Sequence, residues 1–238
     1  MSEHNPVIVA LDYPEARAAV ETARLLAPHV GGFKVGLELL TGPGPATVAA
    51  IREIGLPVFV DAKLHDIPNT VRRAARNLGA IGARWVTAHA AGGAAMLEAA
   101  REGLEEGAAG HTAGILAITV LTSLTGADLA ATGVSGSPGR QVARLSRLAA
   151  GAGVEGVVCS VKELGDVAQV APGLTRVTPG IRPSGADTHD QARVESPAEA
   201  IRRGADWLVI GRAITRASDP VTAAVAIADE IRRARRGG

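Results

Sequence analysis

The chain has 238 residues, 47% of them hydrophobic and only 2% aromatic, with a formal net charge of +1 at pH 7. The balanced charge excludes a general electrostatic attraction to nucleic acid or to anionic membranes, and the single cysteine, Cys159, excludes a disulfide framework. No apolar run approaches the roughly 18 residues of a membrane span. We therefore expect one soluble, cytoplasmic domain over residues 1–238, with neither a nucleic-acid nor a membrane partner.

Short apolar runs alternate with longer helical patterns along the chain. The predicted strands cover residues 7–11, 32–37, 58–63, 84–88, 115–121, 156–159, 176–179 and 207–210. The predicted helices cover residues 15–27, 46–54, 71–78, 94–106, 141–150, 162–170, 198–203 and 221–235. This alternation indicates an α/β protein with a parallel sheet, and eight repeats predict closure into a single (β/α)8 TIM barrel. A doubly wound open sheet is the alternative, because strands are easily miscounted in one sequence.

Two connections, residues 122–137 and 182–196, are longer than the turns of a barrel require. Each follows a predicted strand, at the end of the barrel where active sites lie. Long connections at that end are candidate lids over a site, and a variable surface loop is the alternative interpretation.

The most informative segment is residues 61–70, in which Asp61, Lys63 and Asp66 follow an apolar run. Because alternate side chains of a strand share a face, we expect Asp61 and Lys63 to project together from the end of the third strand. Charged groups at the end of a buried strand are costly to desolvate unless they are paired. The segment therefore indicates a functional site rather than a solvated strand end.

Two further charged residues lie on the neighbouring strands. Asp12 closes the first predicted strand, and Lys34 lies within the second. Neighbouring strands are about 4.8 Å apart, so inward-pointing groups on the first three strands would meet within ion-pair distance. Such an array can hold a protonated lysine beside an anionic substrate, where it can protonate a developing carbanion. Asp12 and Lys34 can also bind ribose hydroxyls.

Clustered carboxylates also bind divalent metals, which is the competing chemistry for this array. The ammonium groups of Lys34 and Lys63 would repel a cation and occupy the same carboxylate oxygens. The six histidines lack the HxH or HxxxH spacing of a zinc site. We therefore expect no metal.

Candidate phosphate-binding residues follow the last two predicted strands. Arg182 comes after the seventh strand, and Gly211 and Arg212 come directly after the eighth. Barrels often bind phosphate with the loops after these strands, where glycine lets a ligand approach backbone N–H groups. Arginine adds charge-assisted hydrogen bonds to phosphate oxygens. A strand followed by Gly-Arg is a weak signal alone, and it becomes more specific beside the charged array.

The sequence resembles the orotidine 5′-phosphate decarboxylase family. The D-x-K-x-x-D signature of that family is present as Asp61, Lys63 and Asp66, followed by Ile67-Pro-Asn-Thr70. The other matching motifs are Val9-Ala-Leu-Asp12, Phe33-Lys-Val-Gly36, Ala88-His-Ala-Ala-Gly-Gly93, Val120-Leu-Thr-Ser123, Val157-Val-Cys-Ser160, Thr178-Pro-Gly-Ile-Arg-Pro183 and Val209-Ile-Gly-Arg212. The signature also occurs in related barrels, whereas the whole set of motifs is specific.

The resemblance implies a homodimeric enzyme that converts orotidine 5′-phosphate to UMP without a metal or an organic cofactor. Lys63 would protonate C6 of the pyrimidine after carbon dioxide leaves, and Asp61, linked to Lys34, would lie beside the departing carboxylate. Asp66 and Thr70 would complete the site of the partner subunit across the dimer interface.

The resemblance also implies a set of residues that contact the substrate. The ribose would be bound by Asp12 and Lys34, the pyrimidine by Thr122, and the phosphate by Arg182, Gln191, Gly211 and Arg212. Gln191 would belong to the closing loop.

Other functional classes remain open. A metal-dependent sugar-phosphate decarboxylase or aldolase of the same barrel superfamily would require a divalent cation for turnover. A non-catalytic protein that binds nucleotide phosphates would keep most of its function without Lys63. A purely structural role is a weaker alternative, because the chain retains the residues of a site.

Overall fold

The computed structural model describes residues 5–182 and 195–236 of the chain. The strands in these residues are β1 Val7–Ala10, β2 Gly32–Val35, β3 Val58–Leu64, β4 Trp85–His89, β5 Gly114–Ile118, β6 Gly156–Val158, β7 Thr175–Thr178 and β8 Trp207–Ile210. The α-helices are α1 Ala16–Leu26, α2 Leu37–Thr41, α3 Ala46–Arg52, α4 Pro68–Ala80, α5 Ala94–Ala108, α6 Gly126–Ala131, α7 Pro138–Gly151, α8 Leu164–Val170, α9 Pro197–Arg202, α10 Arg212–Thr215 and α11 Pro220–Arg236. Not one of these helices combines the length and apolar character needed to cross a membrane.

The eight strands form a closed parallel barrel. Each strand pairs with its neighbours in chain order, and β1 also pairs with β8, with Ile8 opposite Val209. This closure confirms the predicted (β/α)8 barrel, and the alternative of an open sheet is wrong. The second predicted strand was too long, because Gly36 precedes α2 directly after β2. The fifth was also too long, since β5 ends at Ile118.

Three short helices, α2, α6 and α10, were not predicted. They have five, six and four residues, so none is long enough to show a helical period in the sequence. Helix α6 lies within the first long connection, where Thr125 and Asp128 form a capping box at its N-terminus. That connection is therefore partly helical, and its role as a lid stays a prediction. Most of the second connection, residues 183–194, lies outside the described residues.

Buried side chains pack on both faces of the barrel wall. A large cluster joins the outer face of the strands to the helices, including Val9, Phe33 and Val60. A second cluster occupies the alternate, inward positions and consists of Ile8, Ala10, Phe59, Trp85, Leu116, Val177 and Val209. Since Asp12 and Asp61 come two residues after Ala10 and Phe59, the inward face changes from apolar to charged at the C-terminal end of the barrel.

Helices α4 and α5 pack with their backbones in close approach. A Cβ atom added to Gly107 of α5 would lie 1.9 Å from the carbonyl oxygen of Arg76, and one added to Gly103 would lie 2.1 Å from that of Arg72. Both arginines belong to α4, and Arg72 and Arg76 also form ion pairs with Glu106. Because α4 begins directly after residues 61–67, this packing helps to position the charged end of β3.

Candidate active site

Four charged side chains form an alternating row at the C-terminal end of the barrel. Lys34 Nζ lies 3.3 Å from Asp12 Oδ1 and 3.6 Å from Asp61 Oδ2. Lys63 Nζ lies 2.6 Å from the same oxygen of Asp61. The row follows the barrel from β1 through β2 to β3, so the structure brings together the four residues that the sequence placed at these strand ends.

Asp61 is the electrostatic centre of this row. Burial raises the pKa of its carboxyl, but the positive charges of Lys34 and Lys63 and hydrogen bonds from Lys63 and Thr87 outweigh burial. The net result is a pKa below the ordinary value for aspartate. Asp61 is therefore a carboxylate at neutral pH, and its charge stabilises the ammonium group of Lys63.

The backbone at Lys63 departs from a regular strand. Its φ of 50° lies in the left-handed region, and the register between β3 and β4 shifts between Val60 and Leu64. The alternation of side chains along a regular strand predicted that Asp61 and Lys63 lie together, and they do. The backbone at Lys63 is not that of a regular strand, however. With this backbone conformation, the Lys63 ammonium group contacts Asp61.

Thr87 on β4 is a residue of the site that the sequence interpretation missed. Its hydroxyl accepts a hydrogen bond from the Lys63 backbone N–H at 2.9 Å and donates one to Asp61 Oδ1 at 2.9 Å. A signal was present, since Thr87 is a polar residue two positions after Trp85, on the inward face of a buried strand. Its partners could not be inferred, because they depend on the irregular backbone of β3.

Two of the six histidines meet beside the charged row. The rings of His65 and His89 stack with their centroids 5.3 Å apart. Burial lowers the pKa of His89, the positive charges of His65 and Lys63 lower it further, and Asp61 acts in the opposite direction. Within residues 5–182 and 195–236, no group of three or more His, Cys, Asp or Glu side chains is arranged to hold a metal ion.

An apolar pocket opens beside Lys63. Its polar lining consists of Lys34, Asp61, Lys63 and Thr122, and its other lining residues are Phe59, Ile118, Val120, Leu121, Val158, Cys159, Pro179 and Val209. The Cys159 thiol is buried, and burial is the main reason that its pKa rises to about 12. The thiol thus stays protonated, in agreement with a packing role for this cysteine. The apolar pocket thus has the Lys63 ammonium group and the Asp61 carboxylate among otherwise mostly apolar lining residues.

A polar pocket adjoins the apolar one. It is lined by Ala10, Asp12, Lys34, Pro179, Gly180, Ile181, Arg182, Val209, Gly211, Arg212 and Ala213. The two pockets share Lys34, Pro179 and Val209. They enclose about 190 Å³ and about 200 Å³, so each falls below the roughly 300 Å³ of a common ligand site, whereas both together exceed it. The pair therefore fits one extended ligand with an apolar ring and an anionic end.

The remaining predicted site residues lie elsewhere. Asp66 and Thr70 are exposed, and neither lines the two pockets, which are built from described residues of the same chain. Asp66 Oδ1 accepts a hydrogen bond from the backbone N–H of Ile67 at 2.6 Å. Gln191 lies outside the described residues.

Comparison with known proteins gives a consistent result. The model of the orotidine 5'-phosphate decarboxylase / HUMPS family matches residues 5–227. A relative named orotidine 5'-phosphate decarboxylase, from Anaeromyxobacter sp. (strain K), is 53% identical over 229 residues, which cover 96% of this chain and 99% of the relative. A relative of the same name from Moorella thermoacetica is 48% identical over 236 residues, covering 97% of this chain and 94% of the relative.

A solved structure agrees with the sequence relatives. The crystal structure of orotidine 5'-phosphate decarboxylase from Lactobacillus acidophilus superimposes with a TM-score of 0.84 at 36% identity, covering 95% of this chain and 99% of that one. The match of the family model extends over all eight strands of the barrel and the whole charged row. The chain therefore belongs to the orotidine 5'-phosphate decarboxylase / HUMPS family.

Proposed function

We propose that the protein converts orotidine 5′-phosphate to UMP and carbon dioxide in de novo pyrimidine biosynthesis, as a cytoplasmic enzyme whose residues 1–238 form one catalytic domain. The relatives from Anaeromyxobacter and Moorella have the name of this activity. The observation that supports it most strongly is the row of Asp12, Lys34, Asp61 and Lys63 at the junction of the apolar and polar pockets.

The two pockets indicate how the nucleotide binds. The phosphate occupies the polar pocket, where Arg182, Gly211 and Arg212 hold it. Gln191, which lies outside the described residues, is a further phosphate ligand that the family resemblance implies. Gly211 has no side chain, so its backbone faces the polar pocket directly and a phosphate can approach its N–H group.

The rest of the nucleotide extends into the apolar pocket. Asp12 and Lys34 bind the ribose hydroxyls at the junction of the pockets, and the pyrimidine lies beside Thr122 with C6 directed at Lys63. Because the ring edge reaches the end of the charged row, the substrate carboxylate is held next to Lys63 and Asp61. The substrate thus spans both pockets in one orientation.

The reaction breaks the bond between C6 and the carboxylate carbon. The bonding electrons stay on C6 as a vinyl carbanion, carbon dioxide leaves, and the Lys63 ammonium group donates a proton to C6 to give UMP. This carbanion has little resonance stabilisation, so the fixed positive charge of Lys63 must stabilise it. Enzymes lower barriers by about 8–23 kcal/mol, and this reaction requires the upper part of that range.

Asp61 and Lys34 prepare Lys63 for this step. The 2.6 Å contact with Asp61 holds the Lys63 ammonium group in place before the substrate arrives, so little reorganisation is needed during the reaction. Lys34 offsets part of the negative charge of Asp61 and connects the row to Asp12. The proposed chemistry uses these side chains alone, without a metal or an organic cofactor.

We also propose that the active form is a homodimer in which Asp66 and Thr70 reach the site of the partner subunit. Both residues are exposed and lie outside the pockets of their own chain. Ile67, between them, has 67% of its surface exposed, the largest exposed fraction among the large apolar side chains of the described residues. A twofold dimer would cover Ile67 and place Asp66 near the substrate of the other subunit.

The direct test is turnover of orotidine 5′-phosphate by the purified protein, followed as loss of the ultraviolet absorbance of the substrate. We expect turnover to persist after treatment with EDTA. Strict dependence on magnesium would favour a metal-dependent sugar-phosphate decarboxylase or aldolase, and binding of UMP without turnover would favour a non-catalytic nucleotide-binding protein.

A further inference from the structure

We propose that Thr87 is a positioning residue for the proposed decarboxylation, because its single hydroxyl fixes both the backbone of Lys63 and the side chain of Asp61. This inference rests on the proposed function. Thr87 is wholly buried on β4, with 0% of its surface exposed, and it does not line either pocket of described residues. Its influence on the reaction must therefore pass through the two residues that it contacts.

The first contact compensates for the irregular backbone at Lys63. A residue other than glycine in the left-handed region carries backbone strain, and it stays there only where its surroundings hold it. The Lys63 N–H lies where the register between β3 and β4 shifts, and it donates a hydrogen bond to Thr87 Oγ1 at 2.9 Å. The Thr87 hydroxyl thus supplies an acceptor for this partly buried N–H and stabilises the backbone conformation of Lys63.

The second contact orients the Asp61 carboxylate. Thr87 donates to Oδ1, whereas Lys34 and Lys63 both approach Oδ2. A hydroxyl has one proton to donate, and the Lys63 N–H cannot accept it, so Thr87 donates this proton to Asp61. The hydrogen bond to Oδ1 therefore fixes the orientation of the carboxylate, with Oδ2 towards the two ammonium groups. Through one oxygen atom, the hydroxyl links Lys63 to Asp61.

Loss of this hydroxyl should slow the chemical step more than it weakens substrate binding. The phosphate and ribose contacts lie in the polar pocket, which does not include Thr87. A displacement of about 1 Å in a reacting group can lower turnover by roughly a hundredfold. The hydrogen bond from Thr87 is also one of the causes that lower the pKa of Asp61, so its loss should move the acid limb of kcat to higher pH.

The test compares variants of Thr87 in the full-length enzyme. We expect Thr87→Val, which keeps the shape and removes the hydroxyl, to lower kcat by about a hundredfold with KM changed by less than about threefold. Thr87→Ser should restore kcat to within about threefold and return the acid limb to its original pH, while Thr87→Ala should behave as Thr87→Val does. The serine and alanine variants lack the same methyl group, so their comparison isolates the oxygen even if the valine variant folds poorly.

Thr178→Val is the matched control. Thr178 is equally buried on β7, and its hydroxyl has no hydrogen-bond partner among the described residues. This variant should keep the kcat and the pH profile of the wild type.

Equal kcat values for Thr87→Ser and Thr87→Ala would overturn the inference, as would an unchanged acid limb in Thr87→Val. Failure of the proposed function is distinguishable, because the wild type itself would then not consume orotidine 5′-phosphate.

Discussion

Asp61 and Lys34 have only 14% and 12% of their side chains exposed, so removing either from water is costly unless its charge is compensated. The alternating order of Asp12, Lys34, Asp61 and Lys63 gives each interior member of the row two oppositely charged neighbours. A hydrocarbon core at this place would be more stable in isolation. The row is therefore best explained by chemistry on a charged substrate, which the apolar and polar pockets admit beside it.

His89 should make folding sensitive to pH. Its pKa in the folded protein lies below the ordinary value of 6.5, mainly because of burial, with His65 and Lys63 contributing. As the pH falls below 6.5, His89 binds a proton more readily in the unfolded chain than in the folded chain. Stability that is present at higher pH is therefore lost. We expect the free energy of unfolding in urea to fall more between pH 7.5 and pH 5.5 for the wild type than for His89→Gln.

The same variant tests the assigned cause. Asp61 also faces His89, but its lowered pKa places its own titration below this pH range. Parallel loss of stability in the wild type and in His89→Gln would show that the histidine pair does not produce the dependence.

At the scale of elements, the contact between α4 and α5 depends on glycine. Because a Cβ atom at position 107 would lie 1.9 Å from the Arg76 carbonyl oxygen, Gly107→Ala must push the two helices apart. We expect a loss of about 1–3 kcal/mol in the free energy of unfolding, measured by urea denaturation. Turnover should fall as well, because α4 follows the segment that contains Asp66.

Gly165→Ala is the control for this helix contact. Gly165 is exposed in α8, and an added Cβ atom would meet no heavy atom within 4 Å. Alanine should stabilise the protein there by about 0.5–1 kcal/mol, because it reduces the freedom of the unfolded chain. Equal effects of the two substitutions would contradict the close approach of α4 and α5.

The elements also show what the sequence could predict. All eight strands were located, because buried parallel strands are short apolar runs separated by helical periods. The charged residues at the strand ends followed from counting along those strands. The irregular register near Lys63 and the stacking of His65 on His89 were not predictable, because both depend on three-dimensional contacts between β3 and β4.

At the scale of the whole molecule, the barrel gathers one site from distant parts of the chain. Asp12 lies near the start of the sequence and Arg212 near its end, yet both line the polar pocket because β1 pairs with β8. The apolar pocket adds residues of β3, β5 and β6 to Lys34, Pro179 and Val209, which it shares with the polar pocket. The closed barrel therefore holds the two pockets at a set distance, which a flexible pair of domains would not do.

Complementation between subunits tests the proposed dimer. If Asp66 serves the partner's site, Lys63→Ala and Asp66→Asn should each have low activity alone. When the two are coexpressed, the mixed dimer contains one site with both intact residues, and about a quarter of wild-type activity should appear under random association. Activity no higher than that of the separate variants would place Asp66 within the site of its own chain.

The most direct test of the central claim, that the Lys63 ammonium group protonates C6, compares two lysine substitutions in the orotidine 5′-phosphate assay. Lys63→Ala should lower kcat by at least about a thousandfold and still bind UMP within about tenfold of the wild type. Lys162→Ala, which removes an exposed lysine away from both pockets, should turn over as the wild type does. Substantial turnover by Lys63→Ala would contradict the account.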